Sequence, residues 1–448
     1  MVQTVIEMFK ICCIITTYDD SGFYSTHRLN FNFMAGFRKV LRNRSFFLLW
    51  LGQIISQLGD RLGQVALVAL VYSRSPGSTI QLTLAFIIII FPVFIVGPVA
   101  GAYVDRWDRR QTMYICDLAR AVLVLAIPFI LKLRFGFPAT YLVLFFVFCL
   151  GRFFLPAKLS IIPDLVSKEE LAIANSLVNT TGMIATVLGF GISAMIINAW
   201  GPESGFYIDA LSFLVSAGCI LSIKRKWEAR FDPSALGMAI VRAISKSITQ
   251  EIKEGISYFF RLPDIRSTAG IFFMLASGLG AFSVVSIRFL QQTFQSGTVW
   301  AKMCVPLGLG LLLGSIIYGK FCQRFSHYRI IFASLFSSGI LLFVFILIVG
   351  AHPNMLIAAA FSLGLGLLVA PVISLPNTII HSVSDTAMMG KVFSSLEIVM
   401  HIGFFIFMVI SSFLAAMFSP RIILMGVGVV FTMMGLIGFV RSKKPWLD

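Results

Sequence analysis

The chain is poor in charge: only 12% of its 448 residues are Asp, Glu, Lys or Arg. A soluble domain carries about 25%. The shortage excludes an ordinary soluble enzyme. It also excludes intrinsic disorder, which needs abundant charge and few apolar side chains. Acid is scarcer than base, with 20 Asp and Glu against 36 Lys and Arg. The five His form no HExxH motif, and no GxSxG occurs. The seven Cys form no CxxC, so neither a metal site nor a disulfide framework is expected. Gly314 to Lys320 mimics a phosphate-binding loop, but Phe321 stands where the Mg²⁺-binding hydroxyl belongs and no strand precedes it. Asn179-Thr-Thr181 fits a glycosylation pattern, yet it lies inside an apolar run. Neither an enzyme nor a resident cofactor is expected.

What is present is apolar. Hydrophobic residues make up 58% of the chain and the mean hydropathy is +0.91. A membrane-spanning helix needs ~20 apolar residues. Twelve such runs occur, at 45–72, 79–104, 109–131, 139–157, 172–199 and 205–224, then 267–294, 300–321, 330–350, 355–378, 392–417 and 421–441. The expected architecture is therefore an all-α integral membrane protein, with twelve transmembrane helices in two six-helix parallel repeats. The segments are a basic tail (1–44), a first six-helix bundle (45–224), a polar linker (225–266), a second bundle (267–441) and a short tail (442–448). In the first tail, Ile11–Thr16 is too short to span and no small-residue cleavage site follows; Met34 opens a plausible alternative start. A weak internal repeat links Gly101, Asp105 and Arg106 to Gly319, Gln323 and Arg324 at an offset of 218. Two such repeats are a transporter architecture, with a substrate site near the midplane.

Lys and Arg are distributed unevenly. With the N-terminus inside, 27 fall on cytoplasmic segments and five on the opposite loops. The asymmetry predicts both termini in the cytoplasm of a cell (inner) membrane. It also accounts for the net charge of +16 without nucleic acid.

Polar residues inside the spans are the candidate working groups. In the first span Gln53, Gln57, Asp60 and Gln64 recur at spacings of four, three and four, which is one helix face, with Ser56 alongside. A carboxylate near the bilayer midplane is costly, and Asp60 is read as a proton carrier or cavity residue; its plainer reading is a polar anchor between helices. The fifth span carries Asn175, Asn179, Gly182, Thr186, Gly189 and Ser193 on one face; Asn179 and Thr186 are cavity candidates, and the small residues equally suit close packing. Glu397 and His401 stand one turn apart in the eleventh span, where they can share a proton or simply be solvated. Arg152 faces a cavity acid, an anionic substrate or a packing partner. Asp117 and Arg120 are expected to support the loop after the second span, and Arg288 to snorkel.

That loop carries a resemblance. Gly97-Pro-Val-Ala-Gly101-Ala-Tyr-Val-Asp105-Arg106-Trp-Asp108-Arg109-Arg110 resembles the signature between the second and third helices of the major facilitator superfamily. Gly101 permits close helix approach. Asp105 beside Arg106, Arg109 and Arg110 can form a charge-assisted latch that biases alternating access. The second half has Gln323 in place of Asp105, so a second latch lacks its acid.

Phe47-Leu-Leu-Trp50-Leu-Gly-Gln53, Ser56-Gln-Leu-Gly59-Asp60, Pro163-Asp-Leu-Val, Glu170-Leu-Ala-Ile-Ala-Asn175-Ser, Gly255-Ile-Ser-Tyr258 and Gly390-Lys391-Val392 resemble the enterobactin exporter and macrolide efflux branch. The resemblance implies a cavity lined by spans 1, 4, 5, 7, 10 and 11. It also implies export of amphipathic molecules, macrolide-like drugs or siderophores, driven by the proton gradient. The partners expected are protons, a small amphipathic substrate and the lipid bilayer, for a monomer. A lysophospholipid flippase or a metabolite importer of the same fold is the alternative. A non-transporting sensor or scaffold is a more distant one, disfavoured by the polar stripe around Asp60.

Overall fold

In hydrocarbon no water satisfies backbone N–H and C=O groups, so apolar runs of this length fold as helices. The computed structural model describes residues 32–96, 100, 107–133, 136–223, 263–321, 326–383 and 386–441. Among these residues there is no strand. A short amphipathic helix, α1 (Asn32–Arg42), precedes α2 (Arg44–Arg74), α3 (Thr79–Ile95), α4 (Arg109–Ile130), α5 (Gly136–Leu165), α6 (Leu171–Trp200) and α7 (Pro202–Leu221). Then come α8 (Pro263–Phe294), α9 (Val299–Phe321), α10 (His327–Ala351), α11 (Met355–Val383), α12 (Thr386–Met417) and α13 (Pro420–Arg441). Eleven of the described helices are long and apolar enough to cross a membrane, and α3 is a shorter apolar helix of 17 residues. The expected second span ran to 104; residues 97–99 and 101–106 lie outside the described residues.

Local chemistry sets the helix starts. Asn43 ends α1 and caps α2, its Oδ1 accepting from the Ser45 and Phe46 amides at 3.1 and 3.3 Å. Asp108 caps α4 by accepting from the Gln111 amide at 2.9 Å. Gly201, at φ 81°, breaks α6 from α7, and Pro202 opens α7 where its missing N–H costs nothing. The α5 helix departs most from expectation. It runs to Leu165, through Pro156 and Pro163, rather than stopping at 157. Membrane helices tolerate Pro because neighbouring groups re-satisfy the freed carbonyls. Lys158, assigned to a loop from the sequence, therefore lies within a helix.

The chain forms two compact units. The first comprises residues up to Leu67 and Ile88–Ala243; the second comprises Val68–Ile87 and the chain from Ile244 onward. In the first unit α4 packs along α5 and α7. Phe37, Val40 and Leu41 of α1 pack against a core that includes Phe46, Leu165 and Val166. Lys39 pairs with Glu170 at 2.9 Å, tying α1 to the turn before α6. In the second unit α8 packs along α12, α9 along α11, and α10 along α13. Thus α4 pairs with α7 in the first unit as α10 pairs with α13 in the second. Within the second unit Thr79 donates to the Ser412 carbonyl at 3.1 Å. Arg288 donates to the Ala415 carbonyl at 2.6 Å, tying α8 to the end of α12. Of the expected tail (1–44), linker (225–266) and short tail (442–448), residues 1–31, 225–262 and 442–448 lie outside the described residues.

Candidate functional site

The polar stripe on α2 divides between two neighbours. Toward α6, Trp50 Nε1 donates to Thr181 Oγ1 at 3.0 Å. A Cβ built at Gly182 would lie 2.9 Å from Gln57 Oε1, and one at Gly189 would lie 2.9 Å from Arg61 Cγ. The glycines of α6 therefore admit the long polar side chains of α2. Arg61 sits 5.4 Å over the Phe190 ring and donates to Gln64 Oε1 at 2.8 Å. Toward α7, the small residues are on α2 itself. A Cβ at Gly59 would meet Ser212 Oγ and, at 2.9 Å, Asp209 Oδ1; one at Gly63 would collide with Asp209 Oδ2. Gln53 and Ser56 are buried, whereas Gln57, Asp60 and Gln64 are half-buried.

Asp60 belongs to a group of charges drawn from four helices. Asp117 and Arg120 of α4 are 0% and 6% exposed, and Arg120 donates to Asp117. The Arg120 guanidinium lies between two rings, 4.8 Å from the Phe154 centroid and 4.2 Å from that of Phe213. Its remaining surface is thus packed on π faces that favour a cation. Asp60 is within electrostatic reach of Arg120, Arg61 and Lys158. Asp209 of α7 is buried and feels Asp60, Arg120 and Asp117. Asp117 and Arg120 were expected to support the loop after the second span; residues 101–106 of that loop lie outside the described residues, and the pair takes part in this cluster. Asp209 and Lys158 were missed. Asp209 is an acid inside an apolar run, the same signal that singled out Asp60. Lys158 lies just past the expected span 139–157 and was counted with the following loop.

The loop residues of the expected latch are partly described. Arg109 donates to Asp164 at 2.5 Å and to the Ser160 carbonyl at 2.9 Å, joining the start of α4 to the end of α5. Arg110 donates to the Ile220 carbonyl at 3.1 Å and to that of Leu221, capping the end of α7. Trp107 stacks on Phe153, centroids 6.1 Å apart. Gly101, Asp105 and Arg106 lie outside the described residues. Asn179 is exposed on α6, and Arg152 is half-buried on α5, where its charge reaches Cys149 one turn earlier. Glu397 and His401 share α12; His401 is half-buried, and the Glu397 side chain lies outside the described residues. Among the described residues no group of His, Cys, Asp and Glu could hold a metal ion.

The family model described as Major Facilitator Superfamily matches residues 49–407. The chain is 28% identical over 332 residues to the uncharacterized MFS-type transporter YkuC of Bacillus subtilis (strain 168), covering 73% of this chain and 75% of that one. It is 23% identical to macrolide efflux protein A of Streptococcus pyogenes, over 66% of this chain and 71% of the relative. Among solved structures, a peptide transporter POT in complex with sulfate superposes with a TM-score of 0.64 at 14% identity, covering 89% of this chain and 94% of that chain. At that identity the likeness speaks to the fold.

Proposed function

The chain belongs to the major facilitator superfamily, and on that premise we propose that it exports amphipathic organic molecules in exchange for protons. The observation that carries this reading is the buried cluster of Asp60, Asp117, Arg120, Lys158 and Asp209. An ionised carboxylate at the centre of a membrane helix costs about 3 kcal/mol on insertion scales. A passive scaffold gains nothing from that cost. A transporter uses it, because a carboxylate that takes up a proton loses its charge and changes which helix arrangement is favoured.

Asp60 is the entry point. It is half-buried, whereas Asp117 and Asp209 are almost wholly covered, so it is the most accessible acid of the cluster. Gln53, Gln57, Gln64, Asn179 and Arg152 form the polar wall of the cavity around it. Glu397 and His401 supply a second protonatable pair on α12. Gly101, Asp105, Arg106, Arg109 and Arg110 make the conformational latch, a role supported by the Arg109–Asp164 pair. A latch of this kind breaks when α4 and α5 shift, which makes one conformation lower in free energy than the other. Both termini lie on the cytoplasmic side, as the 27-to-5 distribution of Lys and Arg supports even with Lys158 of α5 set aside. The working unit is the monomer.

The substrate class rests on two supports. One relative is named as a macrolide efflux protein. The chain also has 44 Phe and 18 Met, enough to furnish an adaptable apolar wall. The test is erythromycin accumulation in a host stripped of its own exporters, with wild type and Asp60→Asn at matched membrane levels. Lower accumulation with wild type, abolished by a protonophore and absent in Asp60→Asn, is the expected result. Raised accumulation means import. No change across macrolides, dyes and siderophores removes the export reading and turns attention to lysophospholipids.

A further inference from the structure

We propose that Asp209 holds the exchangeable proton of the buried cluster and passes it to Asp60, with Gly59 and Gly63 shaping the slot for its carboxyl group. This rests on reading the cluster as the coupling site.

The argument begins with sterics. Asp209 is 5% exposed on α7, and its carboxyl group lies against the stretch of α2 where two glycines leave room for it. Any Cβ at Gly63 would collide with Oδ2, and any at Gly59 would come within 2.9 Å of Oδ1. Asp60 stands between these glycines in sequence. The slot therefore presses one carboxyl group against the segment that carries another.

The charges around Asp209 come next. From α2 it faces Asp60, and from α4 Asp117 and Arg120. Lys158 on α5 and Arg61 on α2 act on Asp60, and the Arg61 guanidinium is turned toward Gln64 and Phe190. Cys116 on α4 lies beside Arg120 and Asp117. Arg120 is thus the cation that reaches Asp209. It is already bonded to Asp117 and sandwiched between Phe154 and Phe213. Asp209 Oδ1 lacks a well-formed hydrogen bond among the described residues, and the Ser212 hydroxyl is the neutral polar group that acts on this carboxyl. Two carboxylates that act on each other in a buried site disfavour double ionisation, and Arg120, the cation that reaches both, is already bonded to Asp117. Asp209, the deeper of the two, keeps the proton.

The transfer balances. The O–H bond of Asp209 breaks, and an O–H bond forms on a carboxylate oxygen of Asp60. Asp60, half-buried, then gives the proton to water. Asp209 is left as a carboxylate, and the cluster carries one more negative charge, set against Arg120 and Lys158. The added charge changes the balance that holds α2, α4 and α7 together, which is the link from proton to helix movement.

Infrared difference spectra of the purified full chain, between acidic and alkaline buffer and without any substrate, read the carboxyl group directly. Wild type is expected to lose a protonated-carboxyl C=O band on alkalinisation. Asp209→Asn should lack that band, and Asp209→Glu should keep it at a shifted frequency. A band of wild-type size in Asp209→Asn overturns the proposal, as does a wild type without the band. If Asp209→Asn does not fold, the Glu variant decides, and an unshifted band overturns it. Erythromycin export is measured in parallel. A band lost in Asp209→Asn, in a protein whose export ignores a protonophore, leaves Asp209 as the proton site and refutes only the coupling reading.

Discussion

Arg120 shows how one side chain serves both stability and charge balance. It bonds Asp117, reaches Asp60 and Asp209, and packs on two rings. Removing one member of a buried pair leaves the other charge without compensation, which costs about 3–5 kcal/mol. Arg120→Gln is expected to lower the thermal unfolding midpoint in detergent strongly, and adding Asp117→Asn should restore part of the loss. A single variant as stable as wild type contradicts the buried pairing. The sequence made Asp60 legible because an acid in an apolar run is conspicuous. Asp209 obeys the same rule, yet nothing in its spacing says that it comes within electrostatic reach of Asp60. Their residues are far apart along the chain, and only the packing of α7 on the glycine seam of α2 brings them together.

At the scale of the element, glycine position decides which helices can touch. Gly63 lies against a carboxyl group, whereas a Cβ at Gly218 on α7 meets nothing within 4 Å. Gly63→Ala should therefore destabilise the first unit. Gly218→Ala should be neutral or stabilising by about 0.5–1 kcal/mol, since Ala suits a helix better than Gly. Comparable unfolding midpoints for the two variants would remove the seam. The periodic face of the fifth span was legible as a pattern, but its meaning was not. Gly182 and Gly189 make room for Gln57 and Arg61, while Asn179 stays exposed. A period of 3.6 residues identifies a face and leaves its neighbour unspecified. The polar break after 157 was not a helix end: α5 continues through Pro156, Lys158 and Pro163 to Leu165, as a membrane helix with neighbours to satisfy its backbone can.

The whole molecule is organised by two units that do not divide where the sequence divides. Val68–Ile87, the end of α2 and the start of α3, clusters with the second unit, where Thr79 bonds the Ser412 carbonyl and Arg288 the Ala415 carbonyl. Orientation is a property of this scale. With native Cys replaced, Pro76→Cys should react with an impermeant maleimide from outside intact cells, and Lys168→Cys only after permeabilisation. The reverse pattern would invert the topology drawn from the basic loops.

Sequence alone determined the membrane class and the helical architecture, and it singled out Asp60 as an acid inside an apolar run. These follow from the cost of polar backbone and charge in hydrocarbon, which is read residue by residue. The tertiary structure decided which charges meet. Asp209, Lys158 and the Asp117–Arg120 pair join Asp60 because α2, α4, α5 and α7 pack where glycine allows them. Contacts between distant segments depend on side-chain shape across an interface, and no local pattern along the chain encodes that.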